Sequence, residues 1–260
     1  MLVLLPPSEG KATAVRGRPL ALDGLSLPGL TGARAAVLDE LVELCASDED
    51  KAAEVLGLSP GLRGEVAKNA ALRTAATLPA SRLYTGVLYD ALDLATLSPS
   101  ARRRAQQSVL VFSGLWGAVR LGDRIPPYRC SMAVRLPGAG GLAAYWKPFM
   151  DAVLPEAAGT GLVLDLRSSA YASAWKPRPD LARRTATVRV LHVTTVNGTE
   201  KRTVVSHFNK ATKGRLLRAL LESSARPKTP AALASTLRDL GFAVEEDAGG
   251  RLDVLVRDIH

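Results

Sequence analysis

Residues 108–114 read SVLVFSG, a continuous apolar run closed by a serine and a glycine. Such a run, short and without polar alternation, is the pattern of a strand buried on both faces. It recurs in MLVLL at 1–5, stopped by Pro6-Pro7, and in GLVLDLRSS at 161–169. Further along, TATVRVLHVTTVNGTEKRTVVSHF at 185–208 reads as two alternating strands around Asn197-Gly198, a type I′ turn signal. AVEEDAGGRLDVLVRD at 243–258 reads as a last hairpin around Gly249-Gly250.

Helical patterns fill the intervals. Residues 33–57 carry Val37, Leu41, Leu44, Val55 and Leu56 near helical spacing, with Ser47-Asp48 able to cap a second helix. Residues 12–32, rich in Gly, Pro and Leu, read as a surface excursion. SPGLRGEVAKNAALRTAA continues as a helical hairpin bending at Gly61 and Gly64, and Tyr84 to Leu97 is amphipathic. Ser100 to Gln107 is a short polar helix, and 209–224 a basic amphipathic one. Thr229 and Pro230 open a final helix that Gly241 can end. The expected fold is a single mixed α/β domain over 1–260, with a helical N-terminal portion and a C-terminal helix plus hairpin.

Composition narrows the class. With 47% hydrophobic and 23% charged residues the chain is neither disordered nor fibrous. Cys45 and Cys130 are too few for a disulfide framework and lack metal-ligand spacing, which suggests a reducing compartment. The opening apolar run is too short for a signal peptide or a membrane span. A cytoplasmic location is expected, with no membrane contact. The net charge of +9 favours polyanionic partners.

The residues just beyond the apolar strands matter most, because ligands of open α/β sheets bind past the carboxyl ends. After 1–7 come Ser8-Glu9-Gly10-Lys11; after 108–112, Ser113-Gly114-Leu115-Trp116-Gly117. Asp165 is followed by Arg167, Ser168, Ser169 and Tyr171, and RTVVSHF by Asn209-Lys210 and Lys213-Gly214. Side by side, these ends would make one polar, mostly cationic crevice. The bland alternative is that every strand must end in polar turn residues. The two glycines of 113–117 suit a strand-to-helix turn with free N–H groups, or else a close backbone crossing. Arg120, Arg124 and Arg129, with Pro126-Pro127 presenting Tyr128, make a stiff loop fit for phosphate and base contacts. Lys210 and Lys213 in the first turns of their helix, with Arg215 and Arg218, would await an anion. His207 reads first as a structural histidine. No HExxH, HxxxH or CxxC occurs, so a protein-built metal site is not expected.

Six blocks in order make the chain similar to the YaaA family. They are LLPPSEGK (4–11), LYTGVLYDAL (83–92), FSGLWGAVRLGDRIPPYRCSMAVRL (112–136), YWKPFM (145–150), LVLDLRSSAYASAW (162–175) and SHFNKATKGRLLRALL (206–221). The resemblance covers essentially the whole chain. It implies a mixed α/β fold of unusual topology, with double-stranded DNA bound through a helix-hairpin-helix element and a basic cleft. It further implies protection of DNA under hydrogen peroxide stress by keeping unincorporated iron low, with no cofactor and no accepted reaction. Here the hairpin candidate is LSPGLRGEVAKNAAL at 58–72, with Arg63 and Lys68 supplying charge. Against the family pattern, Ser-Glu-Gly-Lys stands for Ser-Pro-Ala-Lys, Asp-Leu-Arg-Ser-Ser for Asn-Leu-Ala-Ser, and Ser-His-Phe-Asn-Lys for Ser-Phe-Tyr-Ala-Lys.

The residues support two readings of different class. The first is a DNA-binding stress protein whose phosphate contacts come from Lys11, Arg120, Arg129, Lys210 and Lys213. The second is an enzyme on a nucleotide or nucleobase. There Glu9 or Asp165 acts as acid or base beside His207, Trp116 or Tyr128 stacks the base, and lysines hold phosphate. The partner is duplex DNA or a phosphate-bearing small molecule. A protein scaffold is disfavoured by an aromatic content of only 5%, and no obligate protein partner is expected.

Overall fold

The computed structural model describes residues 1–14, 16–196, 199–204 and 206–257, with the backbone alone at 196 and 206–208. The first half runs β1 (Leu2–Leu5), α1 (Thr31–Ser47), α2 (Glu49–Val55), α3 (Gly64–Ala70), β2 (Leu78–Pro79), α4 (Ala80–Leu83), α5 (Val87–Leu92), α6 (Pro99–Ser108), β3 (Val109–Ser113), β4 (Gly117–Arg120) and β5 (Arg124–Ile125). The second half adds β6 (Arg135–Leu136), β7 (Gly140–Gly141), α7 (Leu142–Ala158), β8 (Val163–Asp165), α8 (Ser169–Ala172), α9 (Pro179–Ala182), β9 (Thr185–Val196), β10 (Thr199–Thr203), α10 (Ser206–Ser223), α11 (Pro230–Asp239), β11 (Ala243–Asp247) and β12 (Arg251–Arg257).

The three continuous apolar runs lie side by side. β1 pairs in parallel with β3 (Val3 opposite Val109) and with β8 (Leu2 opposite Val163). All three are wholly buried, as strands covered on both faces must be. Among the described residues the main sheet has eight strands in the order β11-β12-β9-β8-β1-β3-β4, with β10 paired to β9. The edge strands β4 and β11 are antiparallel to their neighbours, which makes the sheet mixed. β1, β3, β8 and β9 run in one direction, so their carboxyl ends share one edge.

Local chemistry explains the element ends. Asp48 caps α2 by accepting from Lys51 N, and Thr229 caps α11 by accepting from Ala232 N. Gly241, at φ 89°, follows α11 in a backbone conformation that favours glycine. Within 58–72 the chain makes a 3₁₀ turn, Pro60–Leu62, and then the seven-residue α3.

Two expectations need correction. The 113–117 segment does not lead into a helix: Ser113 pairs with Gly117 and the chain doubles back as β4. Its glycines serve packing. A Cβ on Gly114 would lie 2.6 Å from Cys130 O, and one on Gly117 would lie 2.6 Å from Met150 Cε. The strand expected through RTVVSHF ends at Thr203, and α10 already includes Ser206 to Asn209. The β-branched Thr203-Val204-Val205 run reads as strand from sequence alone. Asn197-Gly198 lies outside the described residues.

Candidate functional site

The segment leaving β1 walls a cleft of about 430 Å³. Glu9 to Ala14 form one side, Leu62, Glu65, Lys68 and Ala71 a second, and Pro127 to Arg129 a third. The β1 exit is folded against the end of α4. Lys11 bridges Tyr84 through the backbone, Ala12 N donates to Leu83 O at 2.8 Å, and Thr85 N donates to Ser8 Oγ at 3.1 Å.

This fold-back turns Lys11 onto its own loop. Its Nζ donates to Ser8 O at 2.9 Å and to Glu9 O at 3.5 Å. It stands 4.4 Å from the centre of the Tyr128 ring and 5.8 Å from that of Tyr84. Loss of water there pushes the amine down to about 8, with Arg129 helping and the charge of Glu9 opposing. Arg129 binds Glu9 across the mouth, with Nη2 to Oε2 at 3.1 Å.

Behind Tyr128 runs a chain of hydroxyls. Ser113 Oγ accepts from Leu115 N (3.2 Å) and Trp116 N (2.9 Å) and lies 2.7 Å from Tyr128 Oη, itself 2.9 Å from Tyr84 Oη. With both Ser113 lone pairs taken, its proton goes to Tyr128 and Tyr128's proton goes to Tyr84. β3 is thereby wired to the cleft wall.

A second polar cluster closes β8. Arg167 Nε and Nη2 hold both oxygens of Asp165 at 2.9 and 2.6 Å, and the guanidinium also donates to Tyr171 O and Trp175 O. It stacks 4.3 Å from the Phe112 ring centre. Lys213, buried on α10, donates to Leu166 O at 3.2 Å, and burial lowers its pKa. One turn earlier, Asn209 Oδ1 is buried and has no hydrogen-bond partner among the described residues. The Tyr171 hydroxyl is pushed up to about 12 by burial, with the charge of Glu9 contributing.

A model of the family described as "Peroxide stress protein YaaA" matches residues 1–248. The chain belongs to the YaaA peroxide stress protein family. A UPF0246 protein of Streptomyces coelicolor is 66% identical over 100% of both chains. One from Corynebacterium efficiens is 42% identical over 96% of each. One from Shewanella woodyi is 30% identical over 86% of this chain and 87% of its own.

In this YaaA-family chain, Glu9, Lys11, Lys68, Tyr128 and Arg129 line the cleft, Ser8 accepts from Lys11 beside it, and Ser113 stands behind Tyr128. Arg63 is exposed and does not line the cleft, pairing instead with Asp50 at 2.6 Å, whereas Lys68 lines it and pairs with Glu65 at 2.5 Å. Asp165 and Lys213 belong to the second cluster, and Ser168 and Ser169 are exposed at the start of α8. Lys210 and Arg215 are exposed on α10. The His207 side chain lies outside the described residues.

Several expected roles do not fit. Trp116 is wholly buried and Tyr128 is 2% exposed, so neither offers a free face on which to stack a base. Arg120 pairs opposite Leu110, toward the start of β3, and reaches Gln107 O at 2.6 Å, away from the carboxyl edge. Lys210 and Lys213 come four and seven residues after Ser206, beyond the first turn where the helix dipole acts.

Other residues organise the site without any sequence signal. Asn69 and Arg34 are buried polar groups hidden in helical patterns. Arg34 Nε and Nη2 hold Trp116 O (3.1 Å) and Ala118 O (2.7 Å), fixing the 113–117 turn. Among the described residues no three His, Cys, Asp or Glu side chains converge as a metal site, and no helix is long and apolar enough to cross a membrane. Cys130 is buried and its thiol is pushed up to about 12, so it stays protonated and poorly nucleophilic.

Proposed function

We propose that this YaaA-family protein acts in the peroxide stress response by binding double-stranded DNA, in the cytoplasm, with phosphates held at the cleft beside Lys11. One observation carries the reading. Three segments distant in sequence, each singled out for phosphate-binding chemistry, line the same hollow: the β1 exit, the 58–72 segment and the 127–129 loop. Lys68 and Arg129 line it, each paired with one carboxylate. Exchanging a carboxylate for a phosphate at these partly exposed pairs costs little, because ion pairs near the surface are worth about 0–1 kcal/mol. Phosphate contacts of this kind hold the duplex without reading sequence. No step calls on a metal or a cofactor.

The competing reading, chemistry on a nucleotide through Glu9 and Asp165, loses Asp165 as a free acid or base, since both its oxygens are bonded to Arg167. Charge reversal separates cleft binding from general attraction. Lys68→Glu and Arg129→Glu should each weaken binding to a random-sequence duplex about tenfold. Arg120→Glu, at the opposite end of the sheet, should leave it within about twofold. Equal losses from all three would overturn the cleft as the binding surface.

A further inference from the structure

We infer that Lys11 is a nucleophilic amine whose substrate is an aldehyde on DNA, the ring-opened deoxyribose of an abasic site, captured as an imine inside the cleft. The inference rests on the DNA-binding reading above and names the substrate class of that site.

Three observations carry it. First, the amine stands in a cleft of about 430 Å³, a volume in the range that holds a small ligand. Much of the lining is small and apolar, including Ala12, Ala71 and Ala75, which leaves room for a sugar without a base. Second, Nζ meets two backbone carbonyls, Ser8 O and Glu9 O. A neutral amine has two hydrogens to give and keeps one lone pair, so those acceptors are met by the reactive form. Third, the wall groups leave the amine easy to deprotonate. Burial brings it down to about 8, against the opposing charges of Glu9 and Glu65 and with the help of Arg129. Lowered basicity is what activates lysines that form Schiff bases.

The step balances without oxidant or reductant. The Nζ lone pair adds to the aldehyde carbon, and the carbonyl π pair moves to oxygen, which takes a proton. The carbinolamine nitrogen then releases its proton and forms the C=N bond as water leaves. Oxidative attack on DNA sugars and bases generates such aldehydes, which ties the chemistry to peroxide stress.

The test uses the full chain and a labelled duplex carrying one abasic site, with borohydride to reduce any imine to a stable amine. A covalent protein–DNA species is expected, mapping to Lys11 by mass spectrometry. It should be absent with the intact duplex, fall more than tenfold in Lys11→Arg, and rise with pH between 7 and about 9. The groups facing Lys11 are Glu9, Glu65, Lys68, Tyr84, Tyr128, Arg129 and the high-pKa Cys130, and Lys11 titrates in that window. Normal duplex binding without an adduct, or an adduct mapping to Lys68 or other surface lysines, overturns the inference. Selective labelling of Lys11 by glyceraldehyde 3-phosphate without any duplex binding overturns the DNA reading instead and leaves the reactive lysine standing. Mapping on the wild-type chain keeps the test valid even if Lys11→Arg folds poorly.

Discussion

The side-chain amide of Asn69 pairs with both backbone groups of Arg129: Nδ2 donates to Arg129 O at 2.8 Å, and Arg129 N donates to Oδ1 at 2.9 Å. Asn69 is wholly buried on α3, so this pair of hydrogen bonds clamps the 58–72 segment to the 127–129 loop. Two walls of the cleft therefore move as one unit.

Asn69→Asp tests the clamp. A carboxylate can accept from Arg129 N but cannot donate to Arg129 O, and it brings a buried charge. A loss of about 2–4 kcal/mol in unfolding free energy is expected, with duplex affinity reduced. Denaturant unfolding gives the first and fluorescence anisotropy the second. An unchanged stability would show that the clamp contributes nothing.

Asp165 and Arg167 make a buried bidentate pair at the end of β8. Asp165→Ala leaves a guanidinium buried without its counter-charge, at a cost of about 3–5 kcal/mol. The variant should lose stability in thermal unfolding, so any loss of function in it reports on the fold. A variant as stable as wild type would show that Arg167 finds another partner and would reopen Asp165 as a functional group.

The central strands were legible because burial on both faces leaves an unbroken apolar run, and 1–5, 108–114 and 161–169 each carry one. The Asp48 and Thr229 caps and the Gly249-Gly250 hairpin were equally plain, since their chemistry is local. The β4 return after Ser113 was not. Gly117 and Gly114 signal only that a side chain is excluded, and what excludes it comes from Met150 and Cys130, far along the chain. Lys11 and Arg129 were recognisable as cations beyond strand ends. Asn69 was not, because a buried asparagine and an exposed one look alike in a helical segment.

Gly214 sets the approach of α10 to α5. A Cβ there would lie 2.3 Å from Leu88 O, a backbone atom with nowhere to go. Gly214→Ala should destabilise by about 1–3 kcal/mol despite the better helix propensity of alanine. It should also disturb the neighbouring Lys213, seated on Leu166 O. Denaturant midpoints of the two proteins settle it, and a stabilised variant would contradict the close approach.

Burial lowers Lys11 from 10.5 to about 8, which fixes the sign of a pH effect on stability. Below pH 8 the amine is charged in both folded and unfolded chains. Between 8 and 10.5 the unfolded chain holds more protons, so stability rises with pH across that window. The gain is at most about 3 kcal/mol. Lys11→Met lacks it, and the gap between wild type and variant in denaturant unfolding should shift by that order from pH 7 to 10.5. Parallel curves would mean that Lys11 titrates normally.

Glu9 neutralises Arg129 at the cleft mouth. Glu9→Gln should therefore strengthen duplex binding several-fold at low salt, because the guanidinium is released for phosphate. Weaker binding of this variant would place Glu9 in contact with the ligand and favour the acid–base reading.

Salt titration of duplex binding is the most direct measurement. Three cations lining the cleft, Lys11, Lys68 and Arg129, predict a slope of about −2.7 in log affinity against log salt at pH 7, or roughly a fortyfold loss between about 50 and 200 mM. An affinity indifferent to salt, or no measurable binding at 50 mM, would contradict phosphate recognition at this site.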